Sequence, residues 1–421
     1  MLSVRHFYLP QIHIKDQRIV VTQGLRAQRK PRAIRELYYI THVKNLDSIL
    51  SNGIFCHKLV LEKGINYTPI YTEGIVLRRK LIKVPDGRGL WDFANLYFQA
   101  RNPMMYKVVL DKSLADIAVI GVSIDILERS DILLTTGNAA HSQSEIVPAS
   151  QKTKILPLIA KEIDRVYWND MDGSKRKMMA ECLVPDIVPP EHIKSVYFAD
   201  YRTMYKVRGA LGNPSRVSFM YEPTTFFQPV RVYKIAPYLF VMEGDMFFSR
   251  AQTLTVSVNT VGIMGKGVAS RAKYQFPDVY VIYQDMCRAG QLKMGKPALY
   301  KREKSFDFEL ADEPESLKNA NSETWFLLFP TKKHWRQDAD IHGIERGLQW
   351  ILENYQKEGI KSLALPALGC GLGRLDWKQV GPLLCGHLSL MKVPVYIYLP
   401  AEKEVPRDQL SSEFLLSGAR F

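Results

Sequence analysis

Two glycine-rich turns, each directly after a strand-like run and directly before a helical one, constrain this chain more than any other feature. The first is Val258-Asn259-Thr260-Val261-Gly262-Ile263-Met264-Gly265-Lys266-Gly267-Val268-Ala269, and the second is Leu365-Pro366-Ala367-Leu368-Gly369-Cys370-Gly371-Leu372-Gly373. Strands that empty into glycines and then helices belong to open α/β sheets, which bind ligands beyond the carboxyl ends of their strands. Such a turn brings backbone N–H groups up to a phosphate with no Cβ in the way, and the helix start adds partial positive charge. Two of them can face each other across one pyrophosphate. The spacing departs from the common nucleotide signatures: only Ile263 and Met264 separate Gly262 from Gly265 where a P-loop needs more, and Ser270 replaces the third glycine of a dinucleotide fingerprint.

The surrounding pattern agrees. Strand-like runs near 237–243, 253–259, 324–330, 361–366 and 393–399 alternate with helical runs near 265–276, 340–358 and 376–391. Ile344, Leu348, Ile351 and Leu352 share one face of the long middle helix, while Gly343 and Gly347 weaken its early turns. Residues 236–402 therefore read as a three-layer α/β/α domain, with 403–421 as a tail. The first half, 1–208, is less regular, with strand-like pieces at 36–41, 105–110, 118–123 and 195–199 and helical pieces at 46–51, 112–116 and 175–181. That mixture predicts α+β architecture with sheet pairing between distant segments. Arg208-Gly209-Ala210-Leu211-Gly212-Asn213-Pro214-Ser215, followed by Pro223 and Pro229, breaks any period, so 209–235 reads as a linker that leaves the halves free to pack or to separate.

Between the glycine turns lies Phe329-Pro330-Thr331-Lys332-Lys333-His334-Trp335-Arg336, and Leu375-Asp376-Trp377 follows the second. With these segments, residues 236 to 402 resemble a macrodomain, most closely the DarG antitoxin type. Its hallmarks are an Asn-Thr-Val-Gly-x-Met-Gly-Lys-Gly loop, a Phe-Pro-Thr-Lys-x-His-Trp-Arg segment and a Gly-Cys-Gly loop leading to Leu-Asp-Trp. The resemblance implies binding of ADP-ribose and its removal from a modified nucleobase. It implies that Asp245 accepts from the adenine amino group with Met246 beside it, and that Asn259 meets the distal ribose. Gly265, Lys266 and Gly267 with Gly369, Cys370, Gly371 and Leu372 would hold the diphosphate, and Thr331 would adjoin the catalytic Lys332. Lys333, His334 and Arg336 are the neighbours expected to lower the pKa of that amine. Related hydrolases carry an acid where this chain has Gly373, so weak turnover is expected unless Asp376 or a water substitutes.

The first half carries three further segments in order: Ile40-Thr41-His42-Val43-Lys44-Asn45-Leu46, the aromatic stretch from Trp91 to Tyr106, and Ala180-Glu181-Cys182-Leu183-Val184. Over residues 6 to 208 they resemble the DarT family of DNA-modifying ADP-ribosyltransferases. The resemblance implies NAD as substrate, Glu181 as the catalytic carboxylate, and Thr41, His42 and Asn45 on the NAD-holding strand. Arg78 or Arg79 lies where the catalytic arginine falls. A carboxylate suits the chemistry, because breaking the glycosidic bond of NAD passes through an oxocarbenium-like transition state that needs a negative neighbour.

A net charge of +14 favours a polyanionic partner. Eight of the basic residues fall in 1–35, and others cluster as Arg78, Arg79, Lys80, Lys83 and Arg88 beside Trp91, Phe93, Tyr97 and Phe98. Cations with rings suit a groove for single-stranded DNA, with Lys83, Tyr97 and Arg101 as its contacts. Five scattered cysteines without a C-x-x-C pair read as reduced thiols, and no metal is expected. No apolar run approaches the roughly 20 residues of a membrane span, and no signal-peptide layout opens the chain, so a cytoplasmic protein without a membrane partner is expected. A free antitoxin of this type carries a further toxin-binding domain, which the roughly 20 residues after Leu399 are too few to form. Restraint would then rest on hydrolysis, on contact between the halves, or on a partner. Two rival readings are a transferase acting on protein or RNA, and a non-catalytic ADP-ribose-binding module.

Overall fold

The computed structural model describes residues 34–71, 73–401 and 403–417. The basic cluster before residue 34 lies outside them. The first half is built on an eight-stranded sheet in the order Ser218–Tyr221, Ile193–Phe198, Ile117–Ser123, Glu36–His42, Phe93–Tyr97, Glu181–Pro185, Leu133–Thr135, Ile146–Pro148. Only the outermost pair, Ser218–Tyr221 with Ile193–Phe198, runs parallel. Most neighbours in it are distant in sequence, as the α+β reading expects, although Leu133–Thr135 with Ile146–Pro148 and Ile193–Phe198 with Ser218–Tyr221 are successive strands. Ile117–Ser123, rich in β-branched residues, lies buried near the middle. Register places Tyr38 opposite Tyr97, and Tyr97 opposite Glu181. Cross-strand partners share a face, so these three side chains line one side of the sheet.

The second half is a seven-stranded sheet in the order Arg231–Ala236, Leu239–Glu243, Val395–Tyr398, Leu363–Pro366, Thr253–Asn259, Trp325–Lys332, Ala298–Tyr300. The five inner strands are parallel and the two outer ones antiparallel. Buried on both faces, the parallel strands read as apolar runs, which is why the sequence located them well. The helix Ile341–Glu358 covers one face through Ile344, Leu348, Ile351 and Tyr355 and ends on Gly359 at φ +81°. Gly347 within it has a packing reason: a Cβ there would lie 2.4 Å from Cζ of Phe329.

Four expectations change. Residues 105–110, read as a strand, belong to the helix Pro103–Asp111, where the Asn102 side chain accepts the Met105 N–H at 2.9 Å and Pro103 opens the first turn. The helical reading of 175–181 holds only for Ser174–Lys177, because Glu181 begins a sheet strand. The segment 209–235 is not a free linker: Ser218–Tyr221 completes the first sheet, and Arg231–Ala236 completes the second. Residues 403–417 are not a loose tail, since Leu410 and Leu415 are buried against the second half.

The two halves share one apolar cluster. Met105, Tyr106, Trp168, Phe226 and Phe227 meet Phe247, Phe248 and Leu310 within it. Hydrogen bonds accompany this packing: Tyr106 donates to Asp307 at 2.6 Å, and the Trp168 indole N–H donates to the Leu310 carbonyl at 2.9 Å. All five cysteines are free thiols. No described helix is long and apolar enough to cross a membrane.

Candidate active sites

Glu181 sits at the start of its strand, 1% exposed, with its backbone N–H donating to the Thr135 hydroxyl at 2.8 Å. Its carboxylate accepts from Arg79 on both oxygens, at 2.6 and 3.4 Å, and from the Ala139 backbone N–H at 2.8 Å. The Arg79 guanidinium also donates to Asn138 at 3.3 Å. Burial works to lower the Arg79 pKa, but Glu181, Tyr97 and Asp312 together outweigh it and the net shift is upward. Tyr97 stands next to Glu181 in the sheet, and burial followed by that carboxylate raises its phenol pKa. The result is a carboxylate with a fixed direction, held by one arginine and one amide, beside an aromatic wall.

Arg78, the neighbour in the helix Glu73–Lys80, points elsewhere and pairs with Glu313 of the second half. Sequence reasoning missed Thr135, Asn138 and Ala139. Gly137 was the available signal, for a Cβ there would lie 3.0 Å from the Arg176 carbonyl oxygen, so glycine eases the close approach of this turn.

Thr41, His42 and Asn45 close the strand Glu36–His42. The Asn45 amide donates to the Thr41 hydroxyl at 3.2 Å and to the Thr68 carbonyl at 2.9 Å, while its oxygen accepts the Thr68 N–H at 2.8 Å. Asn45 thus ties the 65–71 segment to the strand end. His42 accepts the Lys44 N–H on Nδ1 at 3.1 Å, and burial lowers its pKa.

The expected single-strand groove is not assembled as read. Phe93 and Phe98 are core residues, Trp91 packs against His57 with ring centroids 4.2 Å apart, and Lys83 is exposed beside Gly89. Arg101 lies between the halves, its guanidinium over Phe227 at 4.7 Å and Phe248 at 4.3 Å, and it donates to Asp245 at 3.2 Å. Burial first, then Arg271, push its pKa down to about 10 against the pull of Asp245. A cation so enclosed is not a surface contact for a strand.

In the second half, Asp245 follows the strand Leu239–Glu243, with Met246 next to it opening a short buried turn. Its carboxylate accepts from Arg271 at 2.7 Å, from Arg101 at 3.2 Å and from the Phe247 N–H at 3.2 Å. Asn259 ends the strand Thr253–Asn259 and shapes the first glycine turn. It donates to the Ile263 carbonyl at 2.6 Å and accepts from the Val261 N–H at 3.0 Å and the Tyr283 hydroxyl at 2.9 Å. Gly265 faces open space, and the helix begins at Gly267 after Lys266.

The two glycine turns come together: a Cβ on Gly267 would lie 3.5 Å from Leu372, and the Lys332 ammonium donates to the Leu372 carbonyl at 3.1 Å. Gly371 and Leu372 are exposed at the mouth, whereas Cys370 is buried and its thiol is pushed up to about 12 by burial. Thr331 is buried with its hydroxyl 3.0 Å from that of Ser257. The Lys332 pKa is lowered by burial and then by Arg374, with Asp338 pulling the other way. Lys333, His334 and Arg336 are not among the causes. Gly373 has no space for an acid, because a Cβ would lie 2.5 Å from the Gly369 carbonyl and 2.8 Å from Ala339. Asp376 caps the next helix by accepting the Lys378 N–H at 2.8 Å.

A family model described as "ssDNA thymidine ADP-ribosyltransferase, DarT" matches residues 38–227, and a macro domain model matches 321–384. The first match ends beyond residue 208, in accord with the strand Ser218–Tyr221 belonging to the first sheet. A curated relative, the DNA ADP-ribosyl transferase-DNA ADP-ribosyl glycohydrolase fusion protein of Thermosipho africanus, is 53% identical over 385 residues, which is 91% of this chain and 99% of the relative. The DNA ADP-ribosyl glycohydrolase of Thermus aquaticus is 36% identical over 38% of this chain and 41% of its own length. Among solved structures, Thermosipho africanus DarTG in complex with ADP-ribose matches with a TM-score of 0.86 at 52% identity, covering 91% of this chain and 100% of that one.

Proposed function

The chain belongs to the family of fused DNA ADP-ribosyl transferases and DNA ADP-ribosyl glycohydrolases, and from that premise we propose how its two sites divide the work. The first half moves ADP-ribose from NAD to thymine in single-stranded DNA, and the second half removes it. A ring nitrogen engaged in base pairing cannot attack, so an unpaired base is the acceptor. In transfer, the C1′–nicotinamide bond breaks and nicotinamide leaves with the bonding pair. The ring nitrogen of thymine, losing its proton to water, forms the new bond to C1′. In removal, water supplies the hydroxyl to C1′ and the proton returns to the base.

The observation that carries this reading is the Glu181 carboxylate, buried, aimed by Arg79 and the Ala139 N–H, and aligned with Tyr97. A preoriented anion opposite C1′ stabilises the oxocarbenium-like charge without reorganising. Thr41, His42 and Asn45 would hold the nicotinamide side of NAD at the end of the strand Glu36–His42, and Tyr97 with Lys83 would border the acceptor strand. Arg101, enclosed between the halves, supports Asp245 instead.

In the second half, Lys332 between the glycine turns would act on C1′ as a neutral amine, which its lowered pKa favours. Asp245 and Met246 would meet the adenine, and Asn259 with Thr331 would support the ribose side. The turns carrying Gly265, Lys266 and Gly267 and Gly369, Cys370, Gly371 and Leu372 would wrap the diphosphate. A writer of DNA marks fused to its eraser works as a toxin with its antidote in one cytoplasmic chain. The test is labelled NAD offered with single-stranded oligonucleotide and with cell protein. With the Lys332→Ala protein, label in the oligonucleotide that vanishes when Glu181→Gln is added to that variant is expected, and label confined to protein would contradict the DNA acceptor.

A further inference from the structure

Between the strands Ala298–Tyr300 and Trp325–Lys332 the second half carries an excursion, 301–324, that leaves its own sheet and lies on the first half. Side chains and backbone hold it there along its length. Tyr106 bonds Asp307, Trp168 bonds the Leu310 carbonyl, and the Asp312 N–H donates to the Pro103 carbonyl at 3.1 Å. Beyond the tip, the Lys318 N–H donates to Asp111 at 2.9 Å and the Asn319 amide donates to the Leu110 carbonyl at 3.2 Å.

The tip is Asp312-Glu313-Pro314-Glu315. Glu313 adopts φ +46°, a left-handed backbone rarely taken by a residue with a Cβ and kept only where surrounding contacts maintain it. Its carboxylate meets the Arg78 guanidinium, whose side chain stays 68% exposed in the pair. One residue along the same helix, Arg79 grips Glu181. Asp312 lies within electrostatic reach of both Arg79 and Glu181. An acidic turn from one half therefore sits beside the reactive carboxylate of the other, where each substrate must bring its own negative charge. A guanidinium N–H that meets one carboxylate oxygen there can meet a phosphate oxygen in the same way.

We propose that Arg78 marks a phosphate subsite of the transferase half and that Glu313 of the second half fills it as a carboxylate stand-in, so that a phosphate-bearing substrate binds only by displacing the acidic turn. The proposal rests on the transferase reading of the first half. The phosphate comes either from the diphosphate of NAD or from the backbone of the acceptor strand, and binding experiments separate the two.

Equilibrium binding to the full chain is measured at low salt, by calorimetry for NAD and by fluorescence anisotropy for a labelled single-stranded oligonucleotide, in the parent, Glu313→Gln, and Glu313→Gln with Arg78→Gln. Glu313→Gln leaves the backbone contacts of the turn in place and removes only the charge. Binding about two- to fivefold tighter is expected, the range that loss of an exposed competing ion pair supplies, and the gain disappears in the double variant. A gain for NAD assigns the subsite to the diphosphate, and a gain for the oligonucleotide assigns it to the strand. Affinities for both ligands that stay level or fall in Glu313→Gln overturn the proposal while leaving the transferase reading intact. Absence of binding by the parent and every variant overturns both.

Discussion

At the residue scale, Arg78 and Arg79 illustrate what sequence can and cannot decide. Adjacent residues on a helix point about 100° apart, and nothing in the local sequence says which direction is inward. The structure turns Arg79 onto Glu181 and Arg78 onto Glu313. Arg79→Ala should therefore lower the transfer rate by about 100-fold or more, the scale of losing one preorganised charge partner, while Arg78→Ala leaves kcat nearly unchanged. Steady-state kinetics of oligonucleotide modification separates the two, and equal losses would contradict the assignment. Lys332 was legible from its motif, but the source of its lowered pKa was not, because burial and Arg374 come from distant chain. Asp338 raises that pKa, so Asp338→Asn lowers it further and leaves more neutral amine at a given pH. The acid limb of the hydrolysis profile should move to lower pH, and a shift upward would count against a neutral Lys332.

At the element scale, the parallel strands and covering helices of the second half were readable because burial on both faces makes them continuous apolar runs between turn signals. The same rule misled at 105–110, where Val108, Val109 and Leu110 imitate a strand, although Asn102-Pro103 gave a helix start that should have outweighed them. The short strand beginning at Glu181 was hidden because its pairing partners lie far away in sequence. The glycine turns were found by sequence, yet the reason for Gly373 is steric and belongs to the folded loop. Gly373→Glu, which installs the acid of related hydrolases, should weaken ADP-ribose binding at least tenfold rather than improve turnover, since its Cβ collides with Gly369 and Ala339. Calorimetry with ADP-ribose checks this, and tighter binding or faster hydrolysis would contradict it.

At the scale of the whole molecule, composition indicated two halves of suitable size but not their union. Prolines and glycines at 209–235 read as a linker because turn residues mark both linkers and sheet edges, and only long-range pairing tells them apart. Trp168 lies in the shared cluster, fully buried with its indole N–H bonded across to Leu310. Trp168→Ala should cost about 3–5 kcal/mol, as large-to-small changes in cores do, and should lower a melting transition common to both halves. Scanning calorimetry in which the second half keeps its own unshifted transition would show that the halves fold independently. Such a union keeps the writing and erasing sites in fixed proportion and brings the acidic turn to the transferase. The most direct test of this account is mass spectrometry of a thymine-containing single-stranded oligonucleotide after incubation with NAD and the Lys332→Ala protein. The account predicts a gain of one ADP-ribose that is lost on adding the Glu181→Ala protein, whose second half is intact; an oligonucleotide of unchanged mass, or a mark that persists after that addition, would contradict it.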